Sequence, residues 1–164
     1  MSYLLKNWTY VLFILCIIAI ASALIAEFVF KLIPCEMCLK QRHPYYFIIT
    51  IIIIFYYFNL LKSIFFILLT KLAVIYGLFY SIWHVGIENN ILKGPQSCSG
   101  TLTKTDSINN LKEQINNQAI IDCSEVIWSF AGISAATFNS ILLLFIFLIN
   151  SILFTQYLYD SKKN

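Results

Sequence analysis

The chain has 164 residues and a net charge of +3, and 60% of its residues are hydrophobic whereas 12% are charged. Soluble domains carry about 25% charged residues, so this composition excludes an ordinary soluble globule. The small net charge, without a basic cluster, also excludes a nucleic-acid-binding surface. We therefore predict an all-α membrane protein that forms a single domain over residues 1–164.

The first apolar segment predicts a membrane-spanning helix over about residues 10–30. A span needs about 20 apolar residues, and this run has that length. Ala21-Ser22-Ala23 resembles a signal-peptidase site, but apolar residues continue beyond it, so we expect an uncleaved span. Cys16 lies inside this run, and we expect it to pack as a small apolar residue.

A Cys-x-x-Cys, made by Cys35 and Cys38, lies in the polar loop of about residues 31–43 that follows this span. A helix that begins near Cys38 would favour a thiolate there through its dipole and its unpaired backbone N–H groups. Arg42 would lie on the same face one turn later and stays charged at any accessible pH. These features predict a lowered pKa for Cys38, with Cys35 within reach for a disulfide.

A Cys-x-x-Cys can also be half of a zinc site, but structural zinc usually needs two closely spaced ligand pairs. The other two loop cysteines, Cys98 and Cys123, are far apart in the sequence. We therefore predict no metal centre. The remaining non-enzymatic alternative is a membrane assembly factor that holds a metal ion on Cys35, Cys38 and His43.

Two further apolar segments predict spans over about residues 44–61 and 64–87, with Pro44 in the first turn of the second span. The turn between the two spans is ambiguous because Lys71 falls inside the third segment. Either its side chain extends toward the membrane surface, or the turn continues to Lys71 and the span opens at Leu72.

The long polar segment of about residues 88–133 separates the third span from a fourth, predicted over about residues 134–154. Apolar residues recur within this segment at the period of a helix, at Ile108, Leu111, Ile115 and Ala119. This pattern predicts a short amphipathic helix on the membrane surface. The alternative is a solvated loop in which the periodicity is accidental.

Four spans place both chain termini on one side of the membrane and both cysteine loops on the other. Lysine and arginine are divided almost equally between the two sides, so the positive-inside rule gives no orientation. Four loop cysteines indicate an oxidising compartment. We therefore expect both cysteine loops outside the cytoplasm and both termini inside it.

Four short motifs lie at the loop ends of these spans: Pro34-Cys35-x-x-Cys38-x-x-Gln41-Arg42, His84-Val85-Gly86-Ile87-Glu88, Gly94-Pro95-x-x-Cys98, and Cys123 followed by Trp128 and Gly132. Together they resemble the disulfide bond formation protein B (DsbB) family of quinone-reducing membrane proteins. The resemblance covers nearly the whole chain. It implies a four-helix bundle in the bacterial inner membrane.

The resemblance also implies an electron path. Cys98 and Cys123 are similar to the pair that oxidises a soluble periplasmic thioredoxin-fold partner (DsbA-like), with Cys98 forming the mixed disulfide. Cys35 and Cys38 are similar to the pair that reoxidises them and passes two electrons to ubiquinone or menaquinone. In that scheme Cys38 is the thiolate that faces the quinone ring, and Arg42 lies beside it.

His84 is a further candidate, at the loop end of the third span and four residues before Glu88. The two side chains could share a hydrogen bond on one helix face. His84 could also donate to a quinone oxygen or relay protons. The alternative is a histidine that anchors the helix at the membrane surface, in the interfacial belt that we also expect for Trp83, Trp128 and the Tyr45-Tyr46 pair.

A different enzyme class with similar chemistry is the vitamin-K-epoxide-reductase-like protein, which also combines four spans with a Cys-x-x-Cys. In that class we would expect the motif deep in a later span. Here it follows the first span, which favours the quinone-dependent thiol oxidase.

Overall fold

The computed structural model describes residues 2–95 and 123–163, apart from 125, 127 and 131. In these residues the chain forms four helices and a two-stranded antiparallel ribbon: α1 (Ser2–Phe28), α2 (Glu36–Tyr57), α3 (Ile64–Glu88), β1 (Ser129–Phe130), β2 (Ile133–Ser134) and α4 (Ala135–Lys163). The predicted amphipathic helix and Cys98 lie outside the described residues. The ribbon was not predicted, and Gly132, with φ of 78°, lies in its turn.

Among the described helices, three are long and apolar enough to cross a membrane: Asn7–Phe28, Ile64–Glu88 and Ala135–Lys162. They make the chain a multi-pass membrane protein. The second predicted span forms part of α2, whose first turns carry Glu36, Lys40, Arg42 and His43. These polar residues lower the hydropathy of α2, so composition alone identifies three spans rather than four.

Helix α2 begins at Glu36, close to the start that was predicted near Cys38, because Cys35 caps its N-terminus. The Cys35 sulfur accepts the backbone N–H of Cys38 at 3.2 Å, and Glu36 adds a favourable negative charge in the first turn. Pro44 therefore lies inside the helix, and the prediction that it occupies the first turn is wrong. Cys38 is consequently held by helical backbone, and Cys35 is held next to it as the N-cap of the helix.

Helix α3 packs between α2 and α4, while α1 packs against α2. The approach of α3 to both neighbours depends on Gly77. A Cβ atom at this position would lie 2.9 Å from Cγ of Pro44 and 3.0 Å from Cδ1 of Leu143. The absence of a side chain thus lets three helices meet at one level, below the cysteine pair along α2.

The turn between α2 and α3 ends at Ser63, whose hydroxyl caps α3 by accepting the backbone N–H of Phe65. Lys71 therefore lies inside α3, and the alternative in which the turn continues to Lys71 is wrong. The ammonium group lies over the rings of Phe147 and Phe154 on α4, at 5.4 and 5.0 Å from their centroids. Cation–π contact with α4 thus accommodates this charge within the bundle.

The apolar core runs between the four helices and includes Leu12, Ile48, Val74, Leu143 and Ile146. Cys16 is fully buried in this cluster and is a free thiol, so the expectation that it packs as a small apolar residue is confirmed. A second, smaller cluster contains Cys35, Met37, Ile87 and Cys123. Cys35 and Cys123 thus lie in a cluster that is separate from the main apolar core.

Candidate functional site

The cysteine pair lies at the start of α2. Cys35 is 3% exposed, and Cys38, in the first turn, is partly exposed. Both are free thiols with their sulfur atoms in hydrogen-bond contact at 2.9 Å. Cys35 also accepts the backbone N–H of Cys38 at 3.2 Å, and either thiol can supply the proton in the contact between the two sulfurs.

The backbone N–H of Cys38 and the imidazole of His84 both face the Cys35 sulfur, and both favour a thiolate there. Hydrogen bonding from Cys38 lowers the pKa of Cys35, against the opposing effect of burial and with help from His84. The pKa of Cys38 is raised, because its thiol donates to Cys35 and is largely buried, although the charge of Arg42 acts in the opposite direction. These directions favour a thiolate at Cys35 in the dithiol, whereas the sequence predicted one at Cys38, because the capping N–H and the imidazole both face Cys35.

His84 is brought to the pair by α3 and is 4% exposed. Its Nε2 atom lies 3.7 Å from the Cys35 sulfur, and its Nδ1 atom lies 2.9 Å from Nε2 of Gln41. The ring also has a hydrogen bond to the backbone of Cys123. His84 is thus an internal group of the site, and the alternative of a surface anchor is wrong.

The predicted hydrogen bond between His84 and Glu88 is replaced by other contacts. The carboxylate of Glu88 accepts the hydroxyl of Ser134 at 2.5 Å, which ties the end of α3 to β2. Its charge still acts on His84 through space. The imidazole turns toward α2 because Gln41 and Cys35 provide partners there.

Cys123 lies against the Cys35/Cys38 pair although it is remote in sequence. It is 1% exposed, is disulfide-bonded, and packs in one cluster with Cys35, Met37 and Ile87. Cys38, Tyr80 and Trp83 border the same cluster. The structure therefore brings three of the four predicted catalytic cysteines together, while the fourth, Cys98, falls outside the described residues.

Arg42 has a partner that the sequence did not reveal. Its Nη1 atom lies 2.5 Å from Oε2 of Glu27 on α1, and the two side chains are 13% and 29% exposed. This ion pair connects α1 to α2 one turn beyond Cys38. Glu27 was visible only as the acidic exception at the end of an apolar run, and an ionisable residue in such a run is a signal of function.

A buried set of polar side chains was also missed. Tyr45, expected in the interfacial belt, is 3% exposed and donates its hydroxyl to Asn139 on α4. Asn139 in turn donates to Gln41 and to Ser81. An asparagine in a membrane-spanning segment was the available signal. Tyr46 and Trp128, in contrast, are substantially exposed, as an interfacial position requires.

The metal alternative named His43, but the structure places that side chain elsewhere. His43 lines an apolar groove between α2 and α3, which has a volume of about 340 Å³. Within the described part of the chain, the ring of His84 lies with the sulfurs of Cys35 and Cys38, all within 4.8 Å of one another. The contact from Gln41 directs the Nε2 hydrogen of His84 toward Cys35, so an ion could bind this nitrogen only after that proton had left.

Comparison with known proteins is consistent with this site. The family model described as Disulfide bond formation protein DsbB matches residues 6–153. The chain is also similar to the "Uncharacterized protein RP370" of Rickettsia prowazekii (strain Madrid E), with 28% identity over 134 residues, which cover 80% of this chain and 77% of that protein. No solved structure matches the chain.

Proposed function

The chain belongs to the family of disulfide bond formation protein DsbB, and we propose that it reoxidises a soluble, DsbA-like thioredoxin-fold protein and passes the electrons to a membrane quinone. Membership of the family makes it a membrane thiol oxidoreductase. The observation that carries the finer proposal is the contact between a free dithiol, Cys35 and Cys38, and the disulfide-bonded Cys123 at the end of membrane-spanning helices.

The first step is exchange with the partner. A thiolate of the partner attacks Cys98 in its expected disulfide with Cys123, and the second partner thiol then resolves the mixed disulfide. The partner leaves as a disulfide, and Cys98 and Cys123 hold the two electrons as thiols. A long polar segment that carries Cys98 suits this step, because a soluble protein must reach it.

The second step transfers the electrons within the chain. A thiolate at Cys123 attacks Cys35 in the oxidised Cys35–Cys38 pair, which forms a Cys35–Cys123 disulfide and releases Cys38 as a thiolate. Cys98 then attacks Cys123, which restores the Cys98–Cys123 disulfide and releases Cys35. The burial of Cys123 against Cys35 supports this route.

The charge on the dithiol changes place during these steps. While Cys35 is joined to Cys123, Cys38 is the free sulfur of the pair, and the nearby Arg42 favours its thiolate. Once Cys35 is released, the hydrogen bond from Cys38 moves the charge to Cys35. The thiolate that the resemblance implies for Cys38 thus exists in the intermediate in which Cys35 is joined to Cys123.

A bound quinone would supply an acceptor for two electrons and two protons. Cys38 is the more exposed residue of the pair, and Arg42, one turn away, could bind a quinone oxygen, so these residues fit the head group. His84 has partners at both ring nitrogens in the dithiol state. We therefore assign it to Cys35, and its direct contact with quinone stays a sequence-based prediction.

We further propose a position in the bacterial inner membrane, with four spans and both termini in the cytoplasm. A periplasmic-specific reporter enzyme is expected to be active when fused after Leu102 and inactive when fused after Asn164, because only an exported reporter matures. A cytosolic reporter at the same two positions is the control and should show the inverse pattern. Activity of the periplasmic reporter at Asn164 alone would contradict this topology.

The exchange route is tested by trapping. In Cys123→Ser, Cys98 loses its expected internal partner, so a mixed disulfide should accumulate with a thioredoxin-fold protein that carries a single active-site cysteine. The double variant Cys98→Ser/Cys123→Ser is the matched control and should trap nothing. In wild-type protein, purified in detergent with reduced partner and a soluble quinone analogue, quinone loss and partner oxidation should be equal. A mixed disulfide that still forms without Cys98 but is lost without Cys35 would refute the assigned direction of exchange.

A further inference from the structure

A continuous chain of hydrogen bonds crosses α4, α2 and α3 and ends at the cysteine pair. The hydroxyl of Tyr45 donates to Oδ1 of Asn139. Nδ2 of Asn139 donates to Oε1 of Gln41 at 3.1 Å, and Nε2 of Gln41 donates to Nδ1 of His84 at 2.9 Å. The last contact, at 3.7 Å, joins Nε2 of His84 to the sulfur of Cys35.

The two carboxamides give this chain a direction. Each has an acceptor oxygen and a donor nitrogen, so an amide that accepts on one side must donate on the other. The second amide hydrogen of Asn139 donates to Oγ of Ser81 at 3.2 Å, which holds its nitrogen on the side of Gln41. Nδ1 of His84 therefore accepts, and the proton of the neutral imidazole is on Nε2, facing Cys35.

Because this chain of hydrogen bonds is buried, reversing one of its members leaves polar groups without partners. Tyr45, Gln41 and His84 are all buried, and a buried polar group without a partner is costly. Turning one amide alone would set donor against donor and acceptor against acceptor. The chain therefore has only two consistent arrangements, the observed one and its complete reversal, and these correspond to the two tautomers of His84.

We propose that Gln41 and Asn139 are positioning residues that hold His84 in the Nε2–H tautomer, so that the imidazole presents a hydrogen-bond donor to Cys35 without needing a positive charge. The inference rests on the proposed function in one respect: Cys35 is the sulfur released when Cys98 attacks Cys123. A donor already directed at that sulfur stabilises it as a leaving thiolate, because hydrogen bonding to the charged form favours that form. The exchange between the two pairs is accelerated as a result.

Other groups act on the same sulfur, and the test must hold them constant. From α2, Cys38 contacts Cys35, and Arg42 acts on Cys38. On α3, Glu88 acts on His84 through its charge, and the His84 ring also has a hydrogen bond to the backbone of Cys123. The contribution of α4 to the chain, in the described residues, is the uncharged Asn139.

The tautomer can be measured directly because the chain has only two histidines. We would label histidine ring nitrogens with ¹⁵N in a His43→Gln background and record their chemical shifts in reduced protein in detergent micelles. We expect a protonated Nε2 and an unprotonated Nδ1. Gln41→Leu should give a mixture of tautomers, and Gln41→Glu should move the proton to Nδ1, because a carboxylate can only accept there.

Gln41→Glu keeps the site polar, so the tautomer of His84 can be measured in this variant even if Gln41→Leu does not fold. Thr70→Val is the matched control, since Thr70 is a buried residue of α3 whose hydroxyl bonds only to carbonyls of its own helix. It should leave the histidine signals unchanged. A protonated Nδ1 in the unmodified chain, or the same tautomer in all Gln41 variants, would overturn the proposal.

A second readout follows the consequence at Cys35. The pH midpoint of its thiolate, monitored by ultraviolet absorbance, should shift upward in Gln41→Leu and Asn139→Leu and stay in place in Thr70→Val. An unchanged midpoint in both leucine variants would refute the role of the chain. Neither readout uses quinone or a soluble partner, so a failed proposed function would appear as lost quinone turnover in wild-type protein, with the tautomer intact.

Discussion

Replacement of Cys38 by alanine is expected to abolish quinone-linked thiol oxidation, with a loss of about 10³-fold or more, because one sulfur cannot hold both electrons of the pair. Turnover of quinone with a reduced thioredoxin-fold partner measures this loss. Cys16→Ala is the matched control, since Cys16 is buried in the main core, away from the pair, and should keep full turnover. Substantial turnover in Cys38→Ala would contradict the assigned path.

The same position tests where the charge lies. Cys38→Ala removes the donor that lowers the pKa of Cys35, whereas Cys38→Ser keeps a hydroxyl donor there. Ultraviolet thiolate absorbance should therefore titrate at a higher pH in the alanine variant than in the serine variant. If the thiolate signal at neutral pH instead disappears in Cys38→Ser and survives in Cys35→Ser, the charge lies on Cys38, as the sequence had predicted.

A lowered pKa also makes the stability of the dithiol depend on pH. The pKa of Cys35 is lower in the folded protein than its ordinary value of 9.0, so the thiolate contributes its full stabilisation above that ordinary value. That stabilisation is lost progressively as the pH falls toward the lowered pKa of the folded protein. The disulfide form does not titrate, so the difference in melting temperature between reduced and oxidised protein should change in favour of the oxidised form as the pH is lowered.

Arg42→Ala is expected to weaken quinone reduction by roughly 10- to 100-fold, as a higher KM, a slower turnover or both. This is the loss expected for one charge-assisted hydrogen bond of about 1.5–3 kcal/mol. Arg42→Lys should recover only part of it, because an ammonium lacks the planar fork of a guanidinium. Stoichiometric oxidation of the partner by already oxidised protein should survive, since Cys98 and Cys123 do not depend on Arg42.

The ion pair with Glu27 supplies the control for a purely structural role. Glu27→Gln removes the carboxylate charge that holds Arg42 at 2.5 Å but leaves the guanidinium in place. If Arg42 acts on quinone, Glu27→Gln should keep most of the activity that Arg42→Ala loses. Equal losses in the two variants would mean that Arg42 serves only to join α1 to α2, and quinone binding would then have to be assigned to other residues.

Local pattern was enough to predict much of this molecule. Three apolar segments became α1, α3 and α4, because a run of about 20 apolar residues is sufficient to form a membrane helix. A helix was predicted to begin near Cys38 and a membrane span at about residue 44, whereas α2 begins at Glu36. A cysteine sulfur that caps a helix carries no compositional signal, so the early start of α2 could not be predicted from polarity.

By itself, the sequence determined the membrane class, the family resemblance and the identity of the cysteines, since these depend on composition and short spacings. The tertiary structure decided which sulfur carries the charge and which groups surround it. Those contacts join residues that are distant in the chain: Arg42 and Glu27 are 15 positions apart, Gln41 and His84 are 43 apart, and Gln41 and Asn139 are 98 apart. Their partners are selected by how the helices pack, because a buried polar group must pair with whatever polar group the neighbouring helix presents.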